Sequence, residues 1–301
     1  MFKIKVPATS ANLGVGFDCM GLAISLYSEF YFEESNKPLE ISGCEVEYQN
    51  ENNLVYQAFL KGCEFLQEPF PNLKITIASQ VPVARGLGSS AVCIVAGLKA
   101  ASIWFDDAIS TEQLLKLAIE MEGHPDNVTP SVYGGLCMSF LDDYGEPVIC
   151  QYEVSDELQF IAFVPNYPIS THEARSVLPE TMSYATAIHQ ISRCAMMTKA
   201  LEIGDANLLQ QTCHDLIHEP YRAKLIPEYE QAKQLTESNY GTLYISGSGS
   251  TLMAIMPNKQ SANTLVAKAQ KTFPQWQILP VKIDKSGLQS EVTSRGEVLY
   301  R

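Results

Sequence analysis

Residues Pro82-Val83-Ala84-Arg85-Gly86-Leu87-Gly88-Ser89-Ser90-Ala91 join an extended segment, 73–78, to a long apolar stretch, 91–105. A chain that turns from strand to helix through two nearby glycines leaves backbone N–H groups open at the helix start. The positive end of the helix dipole lies there too, so the junction suits an anion and can cradle phosphates. Ser89 and Ser90 add hydroxyls able to ligate a phosphate-bound metal, and Arg85 adds positive charge. No Lys follows the second glycine, so this is not a Walker A loop, and the spacing is not the G-x-G-x-x-G of a dinucleotide fold. Glycines and serines alone read equally well as a capped helix entered through a glycine turn.

The rest of the chain supplies α and β elements in alternation. Polar–apolar alternation predicts strands over 2–7 and around 22–32, and helical spacing predicts a helix over 53–66. Ser110-Thr111-Glu112-Gln113 has the pattern of a capping box opening a helix over 111–121. Gly134-Gly135 breaks the chain before a strand over 136–141. The polar turn 142–147 precedes a fresh pattern, which places a domain boundary near residue 150. Beyond it come a strand over 160–164, helices over 184–203, 207–218 and 227–237, and strands over 243–246 and 251–256 around Gly247-Ser248-Gly249. A helix over 261–271 and a strand over 276–283 follow, without internal repeats.

Composition narrows the function classes. With 301 residues, 46% of them apolar, a sizeable core is expected. The 21 basic residues against 34 acidic give a net charge of −13, which repels nucleic acid and anionic membranes. The N-terminus lacks the basic, apolar and small-residue succession of a secretion signal. The stretch 91–105 is interrupted by Lys99 and is shorter than the roughly 20 residues that cross a bilayer, so it reads as a buried helix. Eight cysteines without a C-x-x-C pair, mostly in apolar segments, read as reduced core thiols of a cytoplasmic protein.

The loop P-x-x-x-G-L-G-S-S-A resembles the phosphate-binding signature of the GHMP kinases, the galactose, homoserine, mevalonate and phosphomevalonate kinases. Residues 6–18, V-P-A-T-S-A-N-L-G-V-G-F-D, resemble that family's N-terminal motif in the form of its homoserine-phosphorylating members. Residues 245–251, I-S-G-S-G-S-T, resemble its C-terminal glycine motif. The resemblance implies an α+β GHMP kinase fold. An ATP-binding domain like ribosomal protein S5 domain 2 is expected over 1–150 and a ferredoxin-like domain over 151–301, with the active site between them. It further implies ATP and Mg²⁺ as cofactors and a small-molecule acceptor, L-homoserine. No nucleic-acid or membrane partner is expected, and a homodimer is left open.

Glu122-Gly123-His124-Pro125-Asp126-Asn127 packs two carboxylates, an imidazole and an amide into a short turn. Magnesium carried by ATP needs oxygen ligands, of which the protein supplies one or two. The resemblance implies Glu122 and Ser90 for that role, residues 82–91 for the phosphates and Asn53 for the adenine pocket. It offers Asp126 as proton acceptor, or Asn127 contacting the reacting hydroxyl with no dedicated base, and leaves both open. An amino-acid substrate needs partners for its carboxylate and its ammonium. The resemblance implies Arg175 and Arg222 for the first, Asn12 and Asp18 for the second, and His124 and Thr171 beside the substrate. Singly, each arginine also reads as a surface ion-pair partner and Asn53 as an ordinary helix cap. His214 and His218 are spaced for a metal on one helical face, but the amphipathic-helix reading is preferred. Two other functions compete. One is a kinase for mevalonate or a similar hydroxy acid, against which Asp18 argues. The other is a silent metabolite-binding relative, against which Ser90, Glu122 and Asn127 argue.

Overall fold

The structure, a computed structural model, describes residues 1–294 and 297–300, with side chains through Val292. Strand β1 (Phe2–Ala11) alternates between buried and half-buried residues up to Val6 and is buried from there on. It pairs antiparallel with β2 (Met20–Glu34), and the register shifts after Pro7 so that Ser25 and Leu26 have no partner on β1. Ser25 instead donates its amide to the Lys282 carbonyl, tying the first sheet to the second half of the chain.

Next come β3 (Leu39–Ser42), α1 (Leu54–Leu66), β4 (Leu73–Ser79), α2 (Ser89–Trp104), α3 (Thr111–Glu122), α4 (Pro125–Tyr133), β5 (Leu136–Leu141) and β6 (Pro147–Tyr152). The expected capping box is present: the Ser110 side chain accepts from Gln113 N, and the Gln113 side chain accepts from Ser110 N. Helix α2 is apolar on nearly every face because it lies buried between the sheet and its neighbouring helices.

The second half contains β7 (Gln159–Val164), α5 (Thr171–Ser176), α6 (Tyr184–Ile203), α7 (Ala206–Thr212), α8 (Glu219–Arg222), α9 (Tyr229–Glu237), β8 (Thr242–Ile245), β9 (Leu252–Met256), α10 (Lys259–Thr272) and β10 (Gln277–Val281). Its four strands form an antiparallel sheet in the order β10-β7-β9-β8. That order, with helices after β7 and after β9, is the ferredoxin-like split β-α-β arrangement. The continuous apolar run of β7 is explained by burial on both faces. Phe160, Ala162 and Val164 join a core shared with Ala8, Leu13 and Met20 of the first half, whereas Ile161 and Phe163 face Tyr229 and Leu265.

Three expectations differ from the structure. The helix expected over 207–218 stops at Thr212, because the Asp215 carboxylate accepts from the amides of His218 and Glu219 and starts α8 instead. Only Cys63, Cys137 and Cys213 are buried; Cys150 is exposed and the other four lie between. Chain beyond residue 150 also returns to the first sheet, where β11 (Gln289–Ser294) pairs with β1 and with β12 (Glu297–Tyr300). Residues 295, 296 and 301 of the expected second domain lie outside the described residues. Among the described residues no helix is long and apolar enough to cross a membrane.

Candidate active site

The glycine-rich loop enters α2 through left-handed backbone at Ala84, Gly86 and Gly88. At Gly86 a Cβ would lie 2.2 Å from the Ser246 carbonyl, and at Gly88 it would lie 2.0 Å from Thr9 Oγ1, so only glycine fits either place. Gly88 is the N-cap of α2 and supplies no side-chain acceptor, which leaves the first amides of a 16-residue helix open toward the cleft.

The C-terminal glycine motif closes onto this loop. Gly247 N donates to Ala11 O, Thr251 N to Arg85 O, and Ser246 Oγ to Gly86 O at 2.6 Å. Ser246 Oγ also shares a 2.8 Å bond with Ser10 Oγ, which in turn meets the Tyr244 hydroxyl. The cleft is a narrow cavity of about 70 Å³ lined by residues of all three motifs.

In the cleft, Ser90 Oγ donates to Glu122 Oε2 at 2.6 Å. Burial pushes the Glu122 carboxyl up, with the Ser90 bond opposing. A hydroxyl and a carboxylate beside an open helix N-terminus make a hard oxygen pair suited to a small divalent cation carried by phosphates. In the adjoining turn His124 Nδ1 donates to Asp126 Oδ1 at 2.5 Å, and Asn127 Nδ2 donates to the same oxygen at 3.3 Å. Burial lowers the affinity of His124 for its proton, but Asp126, Glu122 and Asp18 outweigh that and hold it above its ordinary value. Thr9 Oγ1 donates to Asn127 Oδ1 at 2.7 Å, so both ends of the amide are fixed.

Close to this turn, with the Asp18 carboxylate within 4.8 Å of His124 and Asp126, Asn12 and Asp18 both have positive φ, 72° and 57°, and Asn12 Oδ1 accepts from Asp18 N at 3.0 Å. Such strain at two polar residues persists only because the surroundings fix it. Arg222, 3% exposed, donates Nε to Ala174 O and Nη1 to Gly247 O. Arg175 donates Nη1 and Nη2 to the two Asp18 oxygens at 2.9 and 3.0 Å. Thr171, first residue of α5, lines the cleft.

Residues 53–135 match the family described as GHMP kinases N terminal domain, and residues 197–275 match GHMP kinases C terminal. A homoserine kinase of Clostridium botulinum is 39% identical over 290 residues, which are 95% of this chain and 97% of that one. The chain belongs to the GHMP kinase family. As a GHMP kinase it is an ATP-dependent enzyme acting on a small molecule. A second relative, the homoserine kinase of Clostridium beijerinckii, is 38% identical over 291 residues, 95% of this chain and 97% of its own. The crystal structure of homoserine kinase from Cytophaga hutchinsonii superposes with a TM-score of 0.86 at 26% identity, covering 96% of each chain.

For this GHMP kinase the structure separates the expected residues into two groups. Asn12, Asp18, Ala84, Gly86, Gly88, Ser89, Ser90, Glu122, His124, Asp126, Asn127, Thr171, Arg175 and Arg222 converge on one cleft. Pro82, Val83, Arg85, Leu87, Ala91 and Asn53 do not line it. The Arg85 guanidinium is spent on the carbonyls of Pro165, Asn166 and Val83 and fastens the loop to the second half of the chain. Asn53 caps α1 by accepting from Val55 N and Tyr56 N, and donates to Tyr48 O. Leu87 and Ala91 are fully buried in the core. Sequence reasoning did not single out Thr9 or Ser10, whose partners lie more than 100 positions away; only their place within the N-terminal motif signals them. Gly247 and Ser248 line the cleft, and the C-terminal glycine motif had marked their segment.

Proposed function

We propose that this enzyme transfers the γ-phosphate of Mg-ATP to the side-chain hydroxyl of L-homoserine, giving O-phospho-L-homoserine on the route to threonine. One juxtaposition carries the reading: a single narrow cleft is lined both by the first residues of α2 and by Asn12, Asp18, Arg175 and Arg222. The ATP-binding half over 1–150 and the C-terminal half over 151–301 both contribute to it. The homoserine kinase relatives support the choice of acceptor, and a carboxylate-binding guanidinium pair beside an acidic residue suits an α-amino acid better than a sugar.

In this reading the amides of Ser89 and Ser90 receive the phosphates, and Ser90 with Glu122 would hold the metal. Magnesium, when bound, neutralises charge on the phosphate oxygens during transfer. Arg222 and Arg175 receive the substrate carboxylate, while Asp18 and Asn12 receive the ammonium. Asn127, fixed by Thr9 and Asp126, orients the attacking hydroxyl. Phosphoryl transfer through a loose transition state draws its rate largely from such positioning. Asp126 accepts from His124 and Asn127 on one oxygen, Oδ1, and in this reading it serves to fix those two side chains.

The test is ADP release with Mg-ATP and a panel of L-homoserine, L-serine, L-threonine, mevalonate and galactose. Turnover selective for homoserine is expected. Preference for mevalonate would discard the ammonium role of Asp18, and no turnover with any of them would favour a silent metabolite binder.

A further inference from the structure

Phe17 does not line the cleft, yet it lies against both arginines of the amino-acid end. The Arg222 guanidinium carbon is 5.1 Å from the centre of the Phe17 ring and that of Arg175 is 5.9 Å away. The same ring stacks on His218, with centroids 5.1 Å apart and planes 24° from parallel.

His218 is itself immobilised. It is fully buried, its amide donates to Asp215 Oδ2 at 2.7 Å, and its Nε2 donates to Gly14 O at 2.8 Å. Burial lowers the affinity of the imidazole for its proton, with Asp215 opposing, and Nδ1 has no hydrogen-bond partner among the described residues. Asp215 Oδ1 accepts from Gln190 Nε2, which also donates to Val15 O. The loop carrying Asn12, Phe17 and Asp18 is thus braced from α6 and from the segment before α8.

An aromatic face attracts a guanidinium without using any of its N–H groups. This matters at Arg222, whose Nε and Nη1 already serve Ala174 and Gly247, so that Nη2 alone has no hydrogen-bond partner among the described residues. A third hydrogen-bonding brace would have consumed donors a carboxylate needs.

We propose that Phe17 is a positioning residue for the amino-acid end of the cleft: its ring, its plane set by His218, holds the Arg222 and Arg175 guanidinium groups in place while leaving N–H donors for the substrate carboxylate. The inference rests on the carboxylate role given to these arginines above.

The experiment compares kcat/KM for L-homoserine and KM for ATP in the wild type, Phe17→Leu, Phe17→Tyr, Arg222→Ala and the double variant Phe17→Leu/Arg222→Ala. Phe17→Leu is expected to lower kcat/KM for homoserine by roughly two- to thirtyfold, the range of a cation–π contact, with KM for ATP unchanged. Phe17→Tyr, which keeps the ring, should stay near wild type. In the Arg222→Ala background the loss from Phe17→Leu should shrink, because the ring acts through the guanidinium. A loss of the same size in both backgrounds, or none in either, would overturn the proposal while sparing the carboxylate reading. Unchanged kcat/KM in Arg222→Ala would overturn the carboxylate reading itself. Phe17→Met carries the same comparison should the leucine variant not fold.

Discussion

Arg175 and Asp18 form a two-pronged ion pair across the cleft, with Nη1–Oδ2 and Nη2–Oδ1 distances of 2.9 and 3.0 Å. In the proposed reading these two side chains serve opposite ends of the substrate's zwitterion. They come from opposite halves of the chain, and both remain partly open to solvent. An α-amino acid would exchange one ion pair for two, its carboxylate taking the arginine and its ammonium the aspartate. A substrate lacking the ammonium would have to leave Asp18 unpaired.

Asp18→Asn should therefore reduce kcat/KM for homoserine by tenfold or more, since a charge-assisted contact contributes about 1.5–3 kcal/mol. The same change should narrow the gap between homoserine and 4-hydroxybutyrate, which has no ammonium. Steady-state kinetics with both acceptors checks this; an undiminished preference for homoserine would remove Asp18 from the ammonium site.

If Ser90 and Glu122 hold the metal as proposed, Ser90→Ala and Glu122→Gln should each lower kcat at least tenfold and raise the magnesium concentration needed for half-maximal rate, because the first removes a hydroxyl ligand and the second the negative charge of the carboxylate. Magnesium titration at saturating ATP reads the effect. Dependence identical to the wild type in both variants would move the metal elsewhere.

Asp126→Asn distinguishes a proton acceptor from a brace. General-base loss costs about 10²- to 10⁴-fold in kcat. The donors already on its Oδ1 predict a smaller fall, of about tenfold, accompanied by a weaker grip on His124.

Glu219 yields a stability prediction. It is buried below the site, accepts from Ile245 N at 2.7 Å and Tyr229 OH at 3.3 Å, and burial pushes its pKa to about 7 from 4.5. A carboxyl whose folded pKa is raised contributes stability that is complete below the unfolded value and is lost as pH rises through the folded one. Stability should fall between about pH 4.5 and 7 on this account. Glu219→Gln, which keeps an acceptor for Ile245, should raise the urea midpoint at about pH 8 and leave it unchanged near pH 4; the shift at the higher pH is on the order of 3 kcal/mol at most. Equal midpoints at both pH values would contradict it.

What the sequence determined on its own was local. The capping box at Ser110, the cap at Asn53 and the glycine turn before Ser89 depend on backbone groups within a few residues, so short-range chemistry reveals them. The extent of the helix after Asn207 was not legible, because Asp215 draws the following amides into α8, a competition that apolar periodicity does not register. Tertiary structure alone decided which charged groups meet. Arg85 and Arg175 look alike in the chain, yet the first is used on carbonyls of the second half and the second faces Asp18, 157 positions away. Hydrogen bonds and ion pairs act over a few ångströms, so a charge acquires its role only when the fold fixes its neighbours. The same holds for Phe17, whose place under two guanidinium groups exists only once α5 and α8 have packed beside the N-terminal loop.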